Sequence, residues 1–278
     1  GRKLLGGQAA ALFALAHVYR VTGEERYLQA ALVAWEEIQR RFGKVGRGLK
    51  TAMDREFRHF SAKRDQTSVM RLFEALLALW EVSGRPEFKR GAQGLGDFVQ
   101  QRLLQASSEG GAYVVEIYDN RWRPLMPKSG SGIDIGHQFR WAYLFSVGAE
   151  RGLGPAYGEA ATRLLDFAMA YGYDQDDGGV FATPGGAEQR KDAWRQAEAL
   201  RALMHLAAVR KQTELWAPVT RMTDFVRREL VNRDDGGWYP QPRHECERDG
   251  CDDRQPDAAA IVALHQEAIR LVQIAVGH

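Results

Sequence analysis

Thr67-Ser68-Val69-Met70-Arg71-Leu72-Phe73-Glu74-Ala75-Leu76-Leu77-Ala78-Leu79 is followed by a turn at Ser83-Gly84 and then by a charged segment opened by Phe88. Apolar residues, continuous from Ala75 to Leu79, cover nearly every face of the first segment, and the second is amphipathic, so the spacing predicts an inner helix paired with an outer one. Outward from this pair the same unit recurs. Helical spacing runs over about 4–20, 25–43, 65–82, 86–104, 133–151, 155–171, 190–209, 213–230 and 257–275, nine helices in all. The second helix of each complete pair opens on an aromatic after a turn, at Tyr27, Phe88, Tyr157 and Trp216, with spacings of 61, 69 and 59 residues. That is a degenerate repeat of helix pairs. Two of the long connections carry one tetrapeptide, Asp176-Asp177-Gly178-Gly179 and Asp234-Asp235-Gly236-Gly237, followed by Val180-Phe181-Ala182-Thr183 and by Trp238-Tyr239-Pro240. Small β-hairpins on one rim are expected there. Paired helices of this kind form either an open solenoid or a closed ring. The apolar first helices (Ala9 to Leu15, Ala75 to Leu79, Leu200 to Leu206) favour an all-α, α/α toroid forming a single domain over 1–278.

Composition bounds the class. With 278 residues, 45% of them hydrophobic, the chain can bury a substantial core. Thirty-eight basic and 36 acidic residues give +2, scattered rather than clustered, so neither nucleic acid nor a membrane surface is an expected partner. No apolar run was expected to reach the roughly 20 residues of a membrane span. The start, Gly1-Arg2-Lys3-Leu4-Leu5-Gly6-Gly7, lacks the apolar core of a signal peptide, and two cysteines make a reducing cytoplasm the default. The absence of an initiator Met points to processing or truncation.

Gly132-Ile133-Asp134-Ile135-Gly136-His137-Gln138-Phe139-Arg140-Trp141-Ala142-Tyr143-Leu144-Phe145 plants a histidine in the first turn of an apolar helix that Asp134 or Gly136 can cap. The helix start and Arg140, three residues on, both favour a neutral imidazole able to act as a base near neutral pH. Trp194 and Glu198 lie four apart on one helical face, an aromatic platform beside a carboxylate, as carbohydrate binding requires. Packing for Trp194 and an ion pair of Glu198 with Arg195 or Arg201 account for them equally well. Glu74 is a binding carboxylate or the partner of Arg71. Arg71 and Arg140 either stabilise an anion or pair with Glu74 and Asp134. His244-Glu245-Cys246 with Cys251 and Asp252 has metal-ligand residue types, but zinc sites usually add a second CxxC-like pair, so a loop disulfide or two free thiols is the simpler reading and no metal is expected. No GxGxxG, GxxxxGK[ST], GxSxG or HExxH motif occurs.

Six segments together resemble the N-acylglucosamine 2-epimerase superfamily of sugar epimerases and aldose-ketose isomerases. They are Thr67 to Ala75; Glu116-Ile117-Tyr118 with Trp122-Arg123-Pro124; Gly136-His137-Gln138-Phe139-Arg140-Trp141; Lys191 to Ala199; Gly236-Gly237-Trp238-Tyr239; and Ala263-Leu264-His265. The resemblance implies an (α/α)6 barrel and cofactor-independent isomerisation or C2 epimerisation of a mannose-type sugar. It implies His137 and His265 as the acid/base pair, with Glu74, Arg71, Arg140, Trp141, Trp194 and Glu198 around the sugar. The chain departs from the family pattern at Arg71, where a histidine is usual, and at Arg140, where a glutamate is usual. Nine helices against the family's twelve suggest that the first three are absent, and an open ring would expose an apolar face, so a homo-oligomer is possible on this reading. A non-catalytic carbohydrate-binding protein is the alternative, and a toroidal glycosidase, which needs two carboxylates flanking a sugar bond, is a third.

Overall fold

The computed structural model describes residues 1–127, 132–186, 190–234, 236–244 and 258–276. Cys246, Cys251 and Asp252 of the candidate metal cluster, and Asp235 of the second tetrapeptide, lie outside them. Each of the nine expected segments is a helix: α1 (Leu5–Thr22), α2 (Glu25–Arg41), α3 (Gln66–Ser83), α4 (Pro86–Phe98), α5 (Ile135–Glu150), α6 (Pro155–Gly172), α7 (Ala193–Val209), α8 (Trp216–Glu229) and α9 (Ala258–Val276). The chain falls into two compact units, one of Gly1–Gln105, Val114–Lys128 and Arg151–Tyr157, the other of Ala106–Tyr113, Ser129–Glu150 and Gly158–His278.

In the first unit α1 packs on both α2 and α3, and α3 on α4. The turn glycines read from the sequence end their helices. Gly23 and Gly84 adopt φ of 67° and 63°, the left-handed conformation that glycine takes without a Cβ penalty, and each returns its N–H to the preceding turn at 2.8 Å. Asp65 caps α3, its side chain accepting from the Ser68 N–H at 2.7 Å. Leu72, Phe73, Leu76 and Leu79 are 0% exposed, and burial of each such side chain stabilises by roughly 1.5–3 kcal/mol. Two antiparallel pairs flank these helices, Arg2–Leu4 with Ala52–Asp54 and Arg64–Asp65 with Ile117–Tyr118.

In the second unit α7 is the hub. It touches α5, α8 and α9 and is buried on nearly every face, as its all-round apolar pattern requires. The two tetrapeptide loops fold alike but do not form hairpins. Each makes a single antiparallel bridge, Tyr173 with Val180 and Val231 with Trp238. The Phe181 N–H donates to the Gly172 carbonyl at 2.8 Å, and the Tyr239 N–H to the Leu230 carbonyl at 2.7 Å. The preceding helices end at Gly172 and Glu229, so almost no extended chain precedes each turn and the ladder stops after one pair.

Three helices of this unit are joined by a buried polar network. His205 on α7 sits between Glu267 on α9 (Nδ1 to Oε1, 2.8 Å) and Ser146 on α5 (Nε2 to Oγ, 3.0 Å), with His205 and Ser146 fully buried. Arg270 Nη2 also lies 3.0 Å from His205 Nδ1, so the ring is held by a carboxylate and a guanidinium on one side and by a hydroxyl on the other. Arg270 donates to both Glu267 oxygens at 3.0 and 2.8 Å, and the Tyr143 hydroxyl donates to Oε2 at 3.1 Å. Burial alone raises the Glu267 carboxyl, but the hydrogen bonds from His205 and Arg270 outweigh it and hold it at about 2.

α9 also corrects one expectation. It has 19 residues and a mean hydropathy of 1.4, long and apolar enough to cross a membrane by those two measures, although Glu267 and Arg270 interrupt it. Its inward stripe is Ala260, Leu264 and Glu267, and Val262, Ile269 and Val272 on its other faces are more than half exposed.

The Glu267 carboxyl gives a signed pH dependence. A carboxyl held at about 2 against 4.5 contributes stability in full above pH 4.5 and loses it as pH falls toward 2, in total about 3 kcal/mol. Urea unfolding of the protein and of Glu267→Gln should differ most at pH 6, and the gap should shrink steadily below pH 4.5 and be nearly gone at pH 2; a gap independent of pH contradicts the assignment.

Candidate active site

The starts of α5 and α7 are drawn together by one ion pair. Arg195 donates from Nε to Asp134 Oδ2 at 3.1 Å, closes a second, shorter bond to the same carboxylate from Nη2, and reaches Asp192 from Nη1. Burial lowers the guanidinium, but Asp134 and Asp192 more than compensate and leave Arg195 above its ordinary value. Asp134 thereby does two tasks. Its Oδ1 also accepts from the His137 N–H at 3.2 Å, capping α5 as the sequence suggested, while the Gln138 side chain donates to the Asp134 carbonyl at 2.8 Å. On the other side Gln196 holds the first tetrapeptide loop to α7, accepting from the Val180 N–H at 2.7 Å and donating to the Val180 carbonyl at 2.8 Å. Lys191 donates to Asp174 at 2.6 Å and to the Gly178 carbonyl at 3.0 Å.

Gly136 makes the close approach possible. A Cβ there would lie 2.7 Å from Arg195 Cγ and 2.9 Å from Trp194 Cζ3. The result is that the half-buried His137 ring packs against the Trp194 indole, centroids 5.2 Å apart at 48°. One turn further in, Arg140 Nη1 is 3.2 Å from Glu198 Oε1, and Arg201 Nη1 is 3.6 Å from Oε2. Glu198 is fully buried, and neither of its oxygens takes a geometrically sound hydrogen bond among the described residues. A buried carboxylate in that condition retains acceptor capacity for hydroxyl groups. Arg201 in turn lies over the Tyr143 ring at 3.8 Å, linking this cluster to the His205–Glu267 network.

The structure gathers some sequence candidates and not others. His137, Trp194, Arg140 and Glu198 come together. Arg140 pairs with Glu198 rather than with Asp134, because Asp134 is taken by Arg195. Trp141 is wholly buried and packs against Phe145, with centroids 5.3 Å apart. His265 is exposed and its Nδ1 bonds the Ile261 carbonyl at 2.8 Å; the α9 register turns Leu264 and Glu267 inward instead, so no acid/base partner for His137 comes from this position. Glu74 and Arg71 belong to the first unit, Glu74 buried on α3 and Arg71 exposed. The His17 imidazole on α1 is lowered by burial and by Arg20, with Glu81 and Glu74 acting the other way. The sequence reading named Arg201 only as an ion-pair partner of Glu198, which is where it lies, and missed His205; both continue the Trp194–Glu198 stripe at helical spacing, and that spacing could have found His205. Among the described residues no three His, Cys, Asp or Glu side chains form a metal cluster.

Residues 3–253 match the family model described as N-acylglucosamine 2-epimerase (GlcNAc 2-epimerase). The chain is 31% identical over 151 residues to mannose-6-phosphate isomerase of Rhizobium meliloti (strain 1021); the match spans 52% of this chain and 38% of that protein. Its fold is similar to that of a D-mannose isomerase, with a TM-score of 0.84 at 20% identity over 97% of this chain and 72% of the other. It is likewise similar to cellobiose 2-epimerase from Bacillus thermoamylovorans B4167, with a TM-score of 0.80 at 18% identity over 96% and 72% of the two chains. The fold is therefore all-α and of the α/α-barrel type, as the helix pairs predicted.

Gly136→Ala should separate Trp194 and Arg195 from α5. The expected cost is about 1–3 kcal/mol in denaturant unfolding, accompanied by a changed Trp194 environment in difference fluorescence against Trp194→Phe. An unchanged midpoint and spectrum would contradict the close approach.

Proposed function

Because the chain belongs to the N-acylglucosamine 2-epimerase family, we propose that it is a sugar isomerase that moves a proton between C1 and C2 of a mannose-type monosaccharide through an enediolate, without a cofactor. The observation that carries this reading is the pairing of His137 with Trp194 at the α5 and α7 starts, directly above the buried Glu198. An indole supplies a flat apolar platform for the C–H face of a sugar, and Glu198 supplies acceptor oxygens for its hydroxyls. His137 then stands as the base that takes the C2 proton, since an imidazole is suited to proton exchange near neutral pH. Arg140, ion-paired with Glu198 and with its side chain 19% exposed, is the cation we assign to the enediolate oxygen.

Our preference for isomerisation over epimerisation rests on the proton carriers that the second unit offers beside His137. Aldose-ketose isomerisation needs one base that removes a proton at C2 and returns it at C1 on the same face. C2 epimerisation must return it to the opposite face, which calls for a second group across the sugar. His265 is exposed and His205 is fully buried in its own network, so this geometry favours the single-base reaction. The mannose-acting relatives support the same sugar class.

Incubation in D2O with mannose, fructose, glucose, N-acetylmannosamine and cellobiose, followed by NMR, tests the proposal. Deuterium should enter at C2 of mannose and at C1 of fructose, with interconversion of the two. His137→Ala should lower the rate by about 10²-fold or more while leaving the circular dichroism unchanged. Glu198→Gln should raise KM more than it lowers kcat. Absence of exchange with all five sugars, while binding persists, would replace this proposal with a carbohydrate-binding role.

A further inference from the structure

The groove between the outer helices α6 and α8 is a second candidate site. It is a cleft of about 490 Å³, within the range of small-molecule pockets, whereas the groove between α2 and α4 of the first unit holds only about 220 Å³. Two polar atoms on its lining have no hydrogen-bond partner among the described residues. They are the hydroxyl of Tyr173, a residue only 8% exposed, and Oε1 of the half-buried Gln212. Buried polar atoms are almost always satisfied, and two orphans in one cleft call for a partner from outside the chain. The Arg221 guanidinium lies close enough to act on the Tyr173 hydroxyl, yet no hydrogen bond of sound geometry joins the two, and Arg221 Nη1 donates to the Gln175 carbonyl at 3.3 Å.

We propose that this cleft binds a small, uncharged polyhydroxylated molecule. Gln212 Oε1 requires a donor and the Tyr173 hydroxyl can give or take a proton, so neighbouring hydroxyl groups serve both, each hydroxyl being donor and acceptor at once. Asp166 and Glu214 on the lining disfavour an anion and Arg221 partly offsets them, so the choice of a neutral ligand rests on the hydrogen-bonding demand of Gln212 and Tyr173, which hydroxyl groups meet without a counter-charge. Met169 supplies apolar wall for its C–H groups. The site is built from residues that the α5–α7 cluster does not use, so it stands whether or not that cluster turns over sugar.

The test uses 13C-methyl methionine NMR on the full chain, with the Met169 signal assigned by Met169→Leu. Sorbitol and glucose should shift the Met169 methyl saturably, and inorganic phosphate and ethanolamine should not. Tyr173→Phe and Gln212→Leu should each raise the midpoint about tenfold, the effect of one lost hydrogen bond. His137→Ala should leave the midpoint unchanged. The proposal is overturned if no polyol moves the signal, if phosphate moves it as well as sorbitol does, or if both cleft variants bind like the parent protein.

Discussion

Arg195 carries a full charge into the interior of the second unit, where an unpaired guanidinium would cost several kcal/mol, and the two carboxylates that neutralise it determine where two helices begin. Asp134 stands at the start of α5 and Asp192 at the start of α7. Because Asp134 is also the α5 cap, the ion pair and the helix end are set by one side chain, and neither can shift without the other. His137, Arg140, Trp194 and Glu198 all lie within two turns of this junction. Their separation is therefore a consequence of the clamp, tightened by the absence of a Cβ at Gly136.

Behind the junction, polarity continues inward along α7. Glu198, Arg201 and His205 follow Trp194 at helical spacing and meet Arg140, Tyr143 and Ser146 from α5 and Glu267 from α9. Charges buried in this way seldom add net stability over an apolar core, but each leaves its partner uncompensated if removed. The stripe thus acts as a register for three helices. It also holds Glu198 between two arginines, Arg140 and Arg201, away from bulk water.

Much of this architecture was legible in the sequence, for physical reasons that differ by element. Helix pairs declared themselves because apolar spacing at 3.6 residues is a local signal, and the glycines at 23 and 84 marked turns through their backbone freedom. Asp134 could be read as a cap because capping acts over three residues. Its second role could not, since Arg195 lies 61 residues away and partner choice among several nearby charges is decided by packing. Arg140 was assigned the wrong carboxylate for the same reason. His265 looked equivalent to His137 as a letter in a motif, but one residue of helical rotation separates it from the inward stripe of Leu264 and Glu267. Trp141, one turn after His137, was equally hard to place: spacing alone does not tell a ligand-facing aromatic from a core one, and it packs against Phe145. The tetrapeptide repeat correctly marked two like loops, though their strands proved too short for hairpins.

The most direct test of the account is a crystal structure of the protein grown at saturating fructose. The account predicts a sugar stacked on Trp194, with a hydroxyl on Glu198 and its C1 within proton-transfer distance of the His137 imidazole. A sugar ordered elsewhere, or a Trp194 face left uncovered at saturation, would contradict the central claim that the Asp134–Arg195 clamp builds the active site.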